Sequence, residues 1–98
     1  LRGADLSGSD FSRADFSFSD LSGVNLAGAK LVGAEFSGTD LRGANLADAN
    51  LSGSKFIDTD FAGADLARAN FSAATFRGVT GLGTAKTQGA LGLPEATR

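Results

Sequence analysis

Residues 21–45 read LSGVN LAGAK LVGAE FSGTD LRGAN, and this stretch decides the fold. A large apolar residue returns at every fifth position: Leu21, Leu26, Leu31, Phe36 and Leu41. A helix repeats its apolar side chains at spacings of three and four, and a strand at two. A strict spacing of five satisfies neither. It requires a backbone that turns a corner once per repeat, so that each large side chain, and the small residue two positions before it, points to a shared interior.

Outward from this stretch the phase holds without a slip from Leu1 to Phe76, sixteen positions filled by nine Leu and seven Phe. Two residues before each later one sits Ala, Ser, Thr or Val, from Ala4 to Ala74 and again at Val79. The residue just before is polar, most often Asp or Asn, and Gly stands two residues after in ten of the sixteen repeats. The consensus is Ala-(Asp/Asn)-(Leu/Phe)-x-Gly. Repeats of this regularity are read before any other signal.

The pattern resembles the pentapeptide-repeat family, and the resemblance covers residues 1–80. It implies an all-β fold, a right-handed quadrilateral β-helix (β-solenoid) with four repeats per coil of about 20 residues. Sorting at spacing 20 tests this independently. Leu6, Leu26, Leu46 and Leu66 form one uniform column, and Phe16, Phe36, Phe56 and Phe76 another. Leu1, Leu21, Leu41 and Phe61 nearly form a third, while Phe11, Leu31, Leu51 and Phe71 are mixed. Like stacking on like favours about four coils with four sides, stabilised between neighbouring coils rather than within one.

Corner residues divide unevenly. Gly3, Gly23, Gly43 and Gly63 form an all-Gly column, as a turn with positive φ requires. Elsewhere Arg13, Phe18, Asp48, Asp58, Arg68 and Ala73 replace Gly. Those corners are expected either to use a different turn type or to carry strain.

Residues 81–98 leave the repeat. An open solenoid end exposes unpaired strand edges, so this segment reads as a C-terminal cap: a short helix from about Thr84, then a loop ending at Pro94. Leu82 and Leu91 are its candidates for covering the last coil, and a disordered tail is the alternative. Gly83, Gly89 and Gly92 argue against a stable helix. At the other end Leu1 is already a central residue. Either residues precede it, or the uncapped first coil stacks on something, including another copy of the chain.

Composition excludes most chemistry. The 98 residues contain no His, Cys, Met, Trp or Tyr. Without His or Cys, nucleophilic triads, zinc sites and redox thiols lose their usual residues. Nine basic and eleven acidic residues nearly balance, which does not suggest direct nucleic-acid binding. No apolar run is long enough for a membrane helix. Catalytic residues, cofactors and metals are expected to be absent. The compartment is open, with the cytoplasm as the default expectation.

The candidate interaction surface is small. Asp20, Asp40 and Asp60 recur once per coil, so stacking about 4.8 Å apart makes an acidic ladder. Like charges on adjacent strands repel. The column is therefore a solvated part of the consensus, or it meets a partner's basic groove. Calcium wants six to eight oxygens about one point, which a single-file row does not supply. Asn25 and Asn45 read as a structural ladder between coils. Asp5, Asp65, Asp15 and Glu35 recur because the repeat recurs, which argues against a paired acid and base. No Gly-Lys-Ser/Thr follows any of the Gly spacings, so phosphate cradling is rejected. Phe18 is the one aromatic outside the core register; Ile57, on the same side, and Val32 are apolar at outward positions. Scattered exposed apolar residues are ordinary; the functional reading is a contact patch used in self-association.

Two functions follow. The first is a non-catalytic structural or protein-interaction module, a rigid rod whose protein partner is unidentified. The second comes from the resemblance: some relatives mimic DNA and bind DNA gyrase or related topoisomerases, protecting them from quinolones. A rod of about 20 Å replacing B-DNA should present roughly a dozen negative charges. Residues 1–80 hold ten acidic and seven basic residues, and Arg2, Arg42 and Arg68 would repel the same groove. The interaction rod is the preferred expectation.

Overall fold

The computed structural model describes residues 1–94. The chain winds so that each residue preceding a central Leu or Phe bridges the one 20 positions later: Asp5 to Asn25, Asp10 to Lys30, Asp15 to Glu35, Asp20 to Asp40, and so on to Asp60 with Thr80. All these bridges are parallel. Only β1 (Lys55–Ile57) and β2 (Thr75–Arg77) extend into paired strands, with Phe56 opposite Phe76. No described residue lies in a helix. The Cα envelope measures 30 × 21 × 21 Å.

Winding puts the five-residue columns on the axis. Leu21, Leu26, Leu31, Phe36, Leu41, Leu46, Leu51, Phe56, Phe61, Leu66 and Phe71 are fully buried. Burying each contributes roughly 1.5–3 kcal/mol. The Phe16 column forms a continuous stack, with ring centroids 5.4 Å apart for Phe16–Phe36, 5.0 Å for Phe36–Phe56 and 5.2 Å for Phe56–Phe76. Small inward residues leave the backbone room to approach. At Thr39, Ser54 and Thr59 the hydroxyl is buried and donates to a carbonyl of the preceding coil: Thr39 to Phe16 and Ser54 to Leu31, each at 2.8 Å, and Thr59 to Phe36.

The corners correct one expectation. All sixteen take a positive φ, from 54° at Asp58 to 70° at Gly3, Gly33 and Gly53, whether the residue is Gly or not. Non-Gly corners therefore do not adopt a different conformation; they carry the strain instead. Turn closure does vary, but along the Phe16 column. The residue after the corner donates to the central carbonyl at 3.1 Å for Ser19–Phe16 and 3.3 Å for Thr39–Phe36. The corresponding bond is lost where β1 and β2 run, at an Asp58 corner and a Gly78 corner alike.

The expected helix from Thr84 is a second correction. Thr84 and its neighbours keep winding on the coil below: Lys86 bridges Asp65 and Leu91 bridges Asn70, at spacings of 21 rather than 20. Backbone groups that an isolated helix would pair internally pair with the preceding coil, as in Leu66 N–H to Lys86 C=O at 2.7 Å. One extra residue between Thr80 and Lys86 carries Leu82 into the place of a central side chain, where it is 7% exposed. Leu91, the second covering candidate, instead projects outward and is 61% exposed, because it falls in a bridging column rather than a central one.

A left-handed conformation costs a residue with a Cβ about 1–2 kcal/mol. Gly43 has φ +68°, and nothing lies within 4 Å of the place a Cβ would take, so Gly43→Ala isolates that cost. Thermal melts should show Gly43→Ala less stable by about 1 kcal/mol and Ala73→Gly (φ 60°) more stable by about as much. Equal melting temperatures in all three proteins would refute the strain.

Candidate functional site

The outward polar residues are built into the corners. An Asp or Asn before the central residue accepts, through its side-chain oxygen, the N–H two residues ahead. Ser7 donates to Asp5 at 3.2 Å, Ser22 to Asp20 at 3.1 Å, Ala47 to Asn45 at 3.0 Å and Ala62 to Asp60 at 3.0 Å. Eleven repeats use this Asx turn. It satisfies an amide that the parallel bridges leave free. Asn25 and Asn45, expected to ladder between coils, give their oxygens to Ala27 and Ala47 in the same way.

Asp20, Asp40 and Asp60 do stack in one column, joined by backbone bridges. The column is not a bare acidic ladder. Arg2 lies 3.8 Å from Asp20, and Arg42 reaches Asp40 at 2.7 Å and Asp60 at 4.0 Å. The Arg42 side chain, bonded to Asp40 through both Nε and Nη2, holds that carboxyl below the usual carboxylate range. Asp20 is lowered chiefly by the Ser22 hydroxyl and then by the Ser22 amide. Asp48 is lowered by Arg68, which grips it with two bonds of 2.9 and 3.1 Å across neighbouring corners. Sequence spacing alone missed both arginine grips. The signal was an Arg two residues after Asp40, and an Arg 20 residues after Asp48.

Phe18 stands apart from this network. Its side chain is 85% exposed at a corner with φ 60°. The ring lies over the corner of the next coil, where a Cβ on Gly38 would come within 2.7 Å of it. Bare Gly38 thus leaves room for the ring. Ile57 is only half-buried on that side, two coils on, and Val32 is exposed on the neighbouring side. Among the described residues, no three His, Cys, Asp or Glu side chains gather to hold a metal ion. No helix among them is long and apolar enough to cross a membrane.

The family described as "Pentapeptide repeats" matches in eight copies, over residues 1–26, 19–56 and 44–80. The chain belongs to the pentapeptide-repeat family. A search of the curated proteins returns no match. Among solved structures, this pentapeptide-repeat chain is similar to a pentapeptide repeat protein of the Arabidopsis thaliana thylakoid lumen, with 29% identity and TM-score 0.86, covering 97% of this chain and 72% of that one. It is similar also to a pentapeptide repeat protein from Nostoc PCC 7120, with 27% identity and TM-score 0.76, covering 88% and 82%. A third is trypsin-treated QnrB1, a plasmid-mediated fluoroquinolone resistance protein, with 26% identity and TM-score 0.83. There the match covers 91% of this chain but only 46% of QnrB1, so the pentapeptide-repeat chain spans under half of that protein. These relatives share the β-helix.

The depressed carboxyls set a pH dependence. A group whose folded pKa lies below its unfolded value stabilises above the unfolded value, about 3.9 for Asp, and loses that contribution as pH falls through the folded one. Melting temperature should therefore hold from pH 7 to about 5 and fall progressively below pH 4. Asp20→Asn, which keeps the accepting oxygen, should shallow that fall. A melting temperature unchanged down to pH 2.5 would show that the Asx carboxylates contribute nothing.

Proposed function

We propose that this chain is a non-catalytic protein-interaction module, a rigid rod that presents side chains at fixed spacing to a protein partner. Phe18 carries the reading. An aromatic ring left in water gains nothing from burial, and its left-handed backbone costs stability. Such a residue is accounted for by contact with another molecule. The polar residues support the same reading, since the Asx turns and arginine pairs already commit them to building corners.

The architecture we propose with it is a right-handed, four-sided solenoid of about four coils over residues 1–80, closed by 81–98 as a cap, of which 95–98 lie outside the described residues. The 20-residue bridges support four sides, and buried Leu82 supports the cap within the described residues.

DNA-mimic binding to DNA gyrase or a related topoisomerase is the alternative, favoured by the similarity to QnrB1 over 91% of this chain. Charge weighs against it. The Asp20, Asp40 and Asp60 column carries Arg2 and Arg42 along its length.

Two assays separate the readings. Purified protein at micromolar concentration should neither inhibit gyrase supercoiling nor protect it from a fluoroquinolone; either effect would transfer the assignment to the mimic. Used as immobilised baits, the protein should retain a partner that its Phe18→Ser form loses, while Phe18→Ser melts no lower. Identical capture by both baits would remove Phe18 from the argument.

A further inference from the structure

The side bearing Phe18 is self-complementary. Its outward residues run, coil by coil, Asp15 and Ser17, Glu35 and Ser37, Lys55 and Ile57, then Thr75 and Arg77; its corners are Phe18, Gly38, Asp58 and Gly78. Acid therefore occupies the first two coils of the central strip, and base the last two. Backbone bridging fixes this order: Asp15 stacks on Glu35, Glu35 on Lys55 and Lys55 on Thr75. This is also the side where β1 and β2 pair as extended strands.

We propose that this side binds a second copy of the same chain, running antiparallel about a two-fold axis that passes between the second and third coils. The inference rests on the interaction reading and narrows it to one partner. In an isologous contact, residue i meets j and j meets i. Within one chain Lys55 Nζ already lies 3.6 Å from Glu35. Reversal brings the two exposed pairs together, so that each Glu35 also faces the other copy's Lys55 and the four charges alternate in sign. It also lays Arg77 of the second copy over Ser17, between the Asp15 carboxylate and the Phe18 ring. There a guanidinium meets a carboxylate and an aromatic face together. Phe18 itself falls at the partner's Gly78 corner, beside the Asp58 carboxylate that leans over that glycine, and Ile57 falls at Ser37.

No other side behaves in this way under the same reversal. On the side of the Leu1 column, Asp40 would meet Asp60. On the side of the Leu6 column, Asp5 would meet Asp65. Like charges so placed repel. On the remaining side Lys30 would meet Asn50 and Asp10 would meet Asn70, which forms no ion pair.

Area sets the strength. A side of a 30 × 21 Å envelope offers roughly 600 Å² per copy, against about 800 Å² per partner in a standard stable interface. The pairing is therefore a reversible dimer, weakened by salt because its specific contacts are charged.

Sedimentation equilibrium of the 98-residue chain over a concentration series, at low and high salt, tests the proposal. A monomer–dimer equilibrium is expected, weaker at high salt. Phe18→Gly should weaken dimerisation roughly tenfold or more while melting no lower. Lys55→Glu should weaken it by a similar factor, and the double exchange Glu35→Lys with Lys55→Glu should restore it, because the two signs then meet again across the axis. A strict monomer at every concentration overturns the proposal, and leaves the interaction reading to the bait comparison. A dimer indifferent to Phe18→Gly and Lys55→Glu, or not restored by the double exchange, overturns it equally.

Discussion

One residue in every five must take a left-handed backbone conformation, and the rest of the structure depends on that constraint. Sixteen consecutive corners meet it. Each turns the chain so that the next large side chain points back to the axis, and the repetition brings strands into parallel register 20 residues apart. Burial of the Leu and Phe columns then compensates for the corners, including the six where a Cβ is present.

The architecture was legible because it is periodic. Columns at spacing 20 anticipated the stacked rings of Phe16, Phe36, Phe56 and Phe76. What spacing does not report is how a polar side chain is used. Asp20, Asp40 and Asp60 looked like charge for display, yet each caps an amide of its own turn, and Arg2 and Arg42 thread the column. The corners misled for a related reason. Substituting Gly suggested a new turn, but stacking on the neighbouring coil overrides the local preference of Phe18 or Ala73. The C-terminal segment was hardest to read. Once the period breaks, a single inserted residue decides which of Leu82 and Leu91 turns inward.

Function was legible only at its margins. The five-residue rule assigns most positions to core, corner or cap, so a residue stands out by departing from its column. Phe18 departs most, being aromatic where ten of sixteen repeats place Gly. Charge order along a side is a subtler departure, visible only after the backbone bridges establish which residues are neighbours.

The corner side chains also give the rod a grain. Phe18 leans over Gly38, Asp58 over Gly78 and Arg68 over Gly89, each covering a bare position in the coil that follows. Asp48 differs, being followed by Arg68, which it binds. Lengthening by tandem duplication is therefore not free at every coil. A duplicated coil carrying Phe18 would put a second Phe where Gly38 stands, at a point where even a methyl group meets the first ring at 2.7 Å. A coil with Gly at every corner brings no such contact to its copy, whereas a coil bearing Phe18 stacks without a clash on one whose corresponding corner is bare.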